Sequence, residues 1–147
     1  MILSYNCPEE YFLPKQAEKL AGYILKNFWR HPVPFPKNPI LDIETVDGPE
    51  IQRINREYLG RDNRTDVIAF SFIEGEPSPI GEEICHLGQI LISKEAVSKQ
   101  AQAEGHSEKE EFRLLLVHGL LHIAGLEEGE ELEDCQIKIL NRLSQII

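Results

Sequence analysis

The chain is poor in cysteine, in basic residues and in long apolar runs, and each shortage removes a class of protein. Its three cysteines, Cys7, Cys85 and Cys135, are odd in number, far apart and without a Cys-x-x-Cys pair. That excludes a disulfide framework or a zinc ribbon and fits a reducing compartment. No apolar stretch approaches the roughly 20 residues of a membrane-crossing helix, and the opening residues lack the pattern of a secretory signal. A soluble, cytoplasmic protein without a membrane partner is expected. Fifteen Lys and Arg stand against 25 Asp and Glu, a net charge of −10, so the surface as a whole is unsuited to gripping nucleic acid by phosphate neutralisation. There is no internal repeat and no low-complexity segment.

What is present suits one domain. The 147 residues suffice to bury a core without covalent staples. Residues 1–5 are apolar enough for a strand, and residues 8–30 carry Ala17, Leu20, Ile24, Leu25 and Phe28 at helical spacing. Residues 31–39 hold four prolines, which cannot sustain a regular hydrogen-bond ladder and so form a connection. A strand over 39–46 and a helix over 49–59 follow, the helix burying Ile51, Ile54, Tyr58 and Leu59. After a polar turn at 60–65, the branched and aromatic runs 67–73 and 87–92 read as buried strands, joined by a surface loop or wide hairpin at 74–83. Ser93 caps a helix reaching Gly105, and a final helix over 132–147 carries Ile137, Leu140 and Leu143 as its stripe. The class is α+β: one small mixed sheet of about four strands packed by about five helices, in an order the sequence does not reveal.

Between them lies the segment richest in chemistry. Ser107 with Glu110 three residues on forms a capping box, apolar residues from Phe112 to Ala124 keep helical spacing, and Gly125 supplies the left-handed stop. On this helix His118 and His122 are four apart, so both imidazoles lie on one face. Reversal at Gly125 lets Glu127 or Glu128 swing back toward them. Two histidines and a carboxylate with open positions describe a catalytic zinc site, placed here at the end of a long central helix. The same spacing also suits an ordinary pair of hydrogen-bonded or partly exposed histidines. Gly119 occupies the place where a zinc protease carries its glutamate base, which argues against peptide hydrolysis.

Four motifs occur in order from Pro39 to Gly129: Ile54-Asn55-Arg56-Glu57-Tyr58, Thr65-Asp66-Val67-Ile68-Ala69-Phe70, Leu87-Gly88-Gln89-Ile90-Leu91-Ile92-Ser93, and His118 through Glu128. In them the chain resembles the YbeY family of bacterial metal-dependent endoribonucleases. The resemblance implies a zinc-dependent, single-strand-specific endoribonuclease with one Zn²⁺ per chain, acting in small-subunit ribosomal RNA maturation and ribosome quality control. Ribosomal RNA, and ribosomal proteins of the small subunit, are the implied partners.

The departures from the family pattern bear on the site. Glu128 stands where the family has its third histidine, giving the ligand set His118, His122 and Glu128. A carboxylate there lowers the net charge of a divalent site by one, weakens its acidifying effect on water and shifts preference toward Mn²⁺ or Mg²⁺. Leu126-Glu127 replaces Tyr-Asp, and Gln89 replaces an aspartate. Leu59 stands where many members carry an arginine for the RNA phosphate, leaving Arg61 or Arg64 to cover that role. Glu127 is a candidate general base. Asp66 either fixes a histidine tautomer or caps the turn before its strand, whereas Asn55 and Tyr58 suit packing and hydrogen bonding to a loop. Arg53, Arg56, Arg61 and Arg64 form either a local patch for a polyanion or a solvated face. His31, His86 and His106 show no partner pattern and read as surface residues, and Cys85-His86 as structural. An alternative to the enzyme is a ribosome-associated assembly factor whose altered metal site is weak or non-catalytic.

Overall fold

A computed structural model describes residues 1–73 and 84–147; the loop expected at 74–83 lies outside them. The element order is β1 (Ile2–Asn6), α1 (Pro14–Phe28), β2 (Pro39–Val46), α2 (Gly48–Leu59), β3 (Val67–Ser71), β4 (Cys85–Ser93), α3 (Lys94–Glu104), α4 (Glu108–Ile123), α5 (Glu130–Asn141) and α6 (Leu143–Ile146). The four strands form one mixed sheet ordered β1-β2-β4-β3. The β1–β2 and β2–β4 pairs are parallel, and β3 runs antiparallel at the edge beside β4. This is the expected α+β architecture.

Alternation along β4 divides the molecule into layers, because successive side chains point to opposite faces of a sheet. Ile90 and Ile92 join the main core with α1 and α4, while Leu91 joins Ile51, Ile54 and Ile68 beneath α2. The helix α4 is apolar almost all round, with Phe112, Leu115, Leu116, Val117, Leu120, Leu121 and Ile123 buried, as expected of a helix enclosed by other elements. It approaches the sheet closely at Gly119. A Cβ there would stand 2.9 Å from Ile90 Cγ2 and 3.4 Å from Val67 Cγ2. Glycine thus sets the distance between the histidine helix and the strands opposite it.

Three differences from expectation have local causes. The first helix begins at Pro14 rather than residue 8, because the residue before a proline is driven out of the helical region. Leu13 is extended, with φ −76° and ψ 148°, and its N–H donates to Gln16 Oε1 at 3.1 Å. The final helix is two pieces, broken where Arg142 adopts φ −109° and ψ 9°, a bend that places Leu143 in the core. The three histidines expected to be surface residues without partners each have one. His31 Nε2–H donates to the Ile123 carbonyl at 2.7 Å, satisfying one of the terminal carbonyls of α4. His86 lies 2.9 Å from Asp42 across β2–β4, and His106 lies 2.7 Å from the buried Glu111.

Candidate metal centre

The C-terminal turn of α4 builds the site. Gly125 has φ 105°, its N–H donates to the His122 carbonyl, and the Leu126 N–H donates to the Leu121 carbonyl, both at 3.0 Å. This pair of bonds is the Schellman arrangement, which closes a helix and reverses the chain. Leu126 is buried by the reversal, and its carbonyl points back at His122, whose Nδ1 lies 2.9 Å away. A carbonyl only accepts, so Nδ1 carries the proton and Nε2 keeps its lone pair. His118 is fixed in the same way from farther off, its Nδ1 lying 2.9 Å from Gln136 Oε1 on α5. Each imidazole therefore presents a free Nε2, the orientation seen in metal-ligating histidines whose other nitrogen is committed to an oxygen.

Glu128 meets both. Its Oε1 lies 2.8 Å from each Nε2, and the two Nε2 atoms are 3.2 Å apart. These three side chains form a group that could hold a metal ion. Three acceptors so close repel one another unless a positive charge sits among them. Ligand atoms around a tetrahedral zinc with roughly 2.0 to 2.1 Å bonds stand roughly 3.3 Å apart. The nitrogen spacing fits, and the closer carboxylate belongs to a 70 % exposed side chain with room to withdraw. Burial pushes the Glu128 carboxyl up, but it is held below the usual glutamate value when His122 and His118 carry a proton on Nε2 and donate to it, the proton then occupying the place a cation would take.

The three side chains open into a cavity of about 390 Å³ between β3 and the 60–65 turn, lined also by Leu59, Arg61, Asn63, Arg64, Thr65 and Asp66. Arg61 is exposed, and its side chain has no hydrogen-bond or ion-pair partner among the described residues. Arg64 is tied to Glu95 at 2.6 Å. Outside the cavity, Arg53 pairs with Glu50 and Glu57, and Arg56 with Asp62, so most of the basic cluster is neutralised locally. Glu127 is exposed and does not line the cavity.

Of the two roles open to Asp66, the geometry favours the turn: Oδ1 accepts from its neighbour Val67 N–H at 2.8 Å, and Oδ2 faces Gln100 at 3.4 Å. Asn55 is buried and donates to the carbonyl and side-chain oxygens of Asn63, holding the turn that carries Arg61. Tyr58 is 69 % exposed, with its ring edge-on to Phe70. Gln89 lies outside this cavity, in a groove shared with Tyr58 and Phe70. Sequence reasoning missed Gln136. The available signal was a polar residue interrupting the apolar stripe Leu132, Ile139, Leu143 of the last helices.

The family described as Endoribonuclease YbeY matches residues 6–144. Among curated relatives with that name, the protein of Leuconostoc citreum is 36% identical over 78% of this chain and 81% of its own length. The Bacillus licheniformis protein is 41% identical over 69% of this chain and 70% of its own. The Pelotomaculum thermopropionicum protein is 46% identical over 58% of this chain, a match that spans 57% of that relative. A solution structure from Thermotoga maritima shares the fold, with TM-score 0.63 and 20% identity over 99% of this chain and 90% of that one. The chain belongs to the endoribonuclease YbeY family, hydrolases that act on RNA.

Proposed function

We propose that this chain is a zinc-dependent endoribonuclease that cuts single-stranded segments of small-subunit ribosomal RNA in the cytoplasm, in maturation and quality control of ribosomes, with small-subunit ribosomal proteins as neighbours. The observation that carries the proposal is the convergence of three acceptors, Nε2 of His118, Nε2 of His122 and Oε1 of Glu128, with both Nδ1 atoms already committed. A divalent cation held there supplies Lewis acidity toward a phosphodiester oxygen and acidifies water.

The protein's own groups do the rest. Leu126 and Gln136 hold the two imidazoles in the ligating tautomer. Arg61, unpaired among the described residues and at the rim of the same cavity, offers a planar fork of N–H donors to the phosphate, where negative charge grows during cleavage. Arg64 contributes only by releasing Glu95. Glu127 serves as base only if the turn after Gly125 rotates it inward. The carboxylate of Glu128 admits Mn²⁺ or Mg²⁺ in place of zinc.

The test is incubation of the purified protein with structured small-subunit ribosomal RNA, with and without a chelator, beside elemental analysis of the protein as isolated. Cleavage that the chelator abolishes and that His118→Ala lacks is the expected result. No cleavage with zinc, manganese or magnesium would overturn the enzyme and leave an assembly factor with a degenerate site.

A further inference from the structure

The chain is short of positive charge, yet half of its lysines stand in one place. Of eight lysines in the sequence, Lys15, Lys19, Lys26 and Lys37 line a single groove of about 770 Å³ on the outer face of α1, away from the cavity that holds the histidines. One carboxylate, Glu18, shares it. Among the described residues none of the four lysines makes an ion pair, whereas four arginines and Lys99 do. The concentration is local, against a net charge of −10 for the whole chain.

Three features of this face oppose the stability of the helix that carries it. Lys15 lies in the first turn of α1, which has no acidic residue, although the positive end of a helix dipole favours acids there. Lys15 and Lys19 are four apart, so like charges sit one above the other. Gly22, midway along the helix, lines the groove, where glycine is a poor helix former. Packing does not require that glycine: an added Cβ would meet only Met1 Cε, at an ordinary 3.8 Å. Its absence leaves the helix backbone open to close approach. Tyr23 and Phe35 form half-buried aromatic walls. Unpaired ammonium groups along a lowered floor beside aromatic rings complement a phosphodiester chain with exposed bases.

We propose that this groove is a second RNA-binding surface, which holds the phosphate backbone of the RNA at a distance from the bond to be cut. The nature of the polyanion rests on the endoribonuclease function above; the groove itself is tested without cleavage.

The experiment measures binding of a fluorescent single-stranded oligouridine by anisotropy, with chelator present so that no hydrolysis occurs, from about 50 to about 200 mM salt. The protein is compared with the triple variant Lys15→Glu, Lys19→Glu, Lys26→Glu, with the same three positions changed to Arg, and with Lys94→Glu as a control on α3. The Glu triple is expected to weaken binding at least about tenfold at the lowest salt and to flatten the log–log salt dependence by about 2, at roughly 0.7 per phosphate contact. The Arg triple and Lys94→Glu should bind as the parent does. All positions are exposed, and a thermal melt checks folding, because Glu at 15 suits the start of α1 whereas Glu at 26 opposes its end. A Glu triple that melts like the parent and keeps its affinity and salt slope would overturn the proposal. So would an equal loss in Lys94→Glu, which would reduce the effect to overall charge. If ribosomal RNA is never cleaved but these shifts appear, the nuclease fails and the groove stands.

Discussion

The two ends of α4 are built from the same side chains and are suited to different tasks. At the N-terminal end a single histidine, His106, meets a single carboxylate, Glu111, at 2.7 Å, with Glu111 only 3 % exposed. One donor satisfies one acceptor, and the pair closes the junction between α3 and α4. At the C-terminal end two histidines meet one carboxylate, both Nδ1 atoms are spoken for, and Glu128 lies in the open. There the acceptors outnumber the donors. The difference teaches that histidine next to glutamate signals a metal site only when the second nitrogen of each ring is committed elsewhere and the facing atoms are left in need of a cation.

Substitutions at the two ends should separate these roles. The largest effect is expected from His118→Ala or His122→Ala. Changing an outer partner of a ligand already weakens metal binding about 10- to 100-fold, so loss of a ligand should exceed about 100-fold, read as metal content after dialysis, with RNA cleavage lost in parallel. Gln136→Leu comes next. It leaves the His118 tautomer unanchored and should weaken metal binding by about 10- to 100-fold while the thermal melt changes little. If metal content were unaffected by this change, the distinction between the two ends would lose its physical basis.

Glu111→Ala should do the reverse. Deleting the carboxylate strands the half-buried His106 without its hydrogen-bond partner and removes an acid from the N-terminal part of α4, which should destabilise by about 1 to 3 kcal/mol, read by denaturant unfolding, with metal content unchanged. The smallest shift is expected from Glu128→His. It supplies a third imidazole in place of a carboxylate, so the site should keep its ion but favour zinc over manganese more strongly, as competition dialysis would show. An unaltered preference would mean that Glu128 is not among the ligands.

Much of this was legible along the chain. The bounds of α4 are written locally, in Ser107, whose side chain accepts from the Glu110 N–H, and in the glycine at 125. A cap of the Ser107 kind contributes about 1 kcal/mol. The spacing of His118 and His122 fixes their common face, and the reversal at Gly125 returns one of the two carboxylates that follow, Glu128 rather than Glu127 in the structure. The start of the first helix is also local, at Pro14, although the apolar rhythm around that proline continues past it. The break at Arg142 had no local signal, since it arises from burying Leu143 rather than from a breaker residue.

Other parts of the site joined residues too far apart in sequence for spacing to predict. Gln136 meets His118 across a turn and onto another helix. His31 reaches the end of α4 from 92 residues away, although nothing near it in sequence marks a partner. Arg61 and Arg64 look equivalent along the chain, yet Glu95 on α3 neutralises Arg64, while Arg61 has no ion-pair partner among the described residues.

The sequence by itself determined where α4 begins and ends, that its two histidines share a face, and that a carboxylate would return toward them, because dihedral preferences and helical periodicity act over a few residues. The tertiary structure alone decided the strand order β1-β2-β4-β3, the tautomer of His118, the pairing of Arg64 with Glu95, and the gathering of Lys37 with the lysines of α1 into one groove. Those outcomes depend on which surfaces pack together, and packing is settled by the burial of the whole apolar set at once rather than by any single stretch of chain.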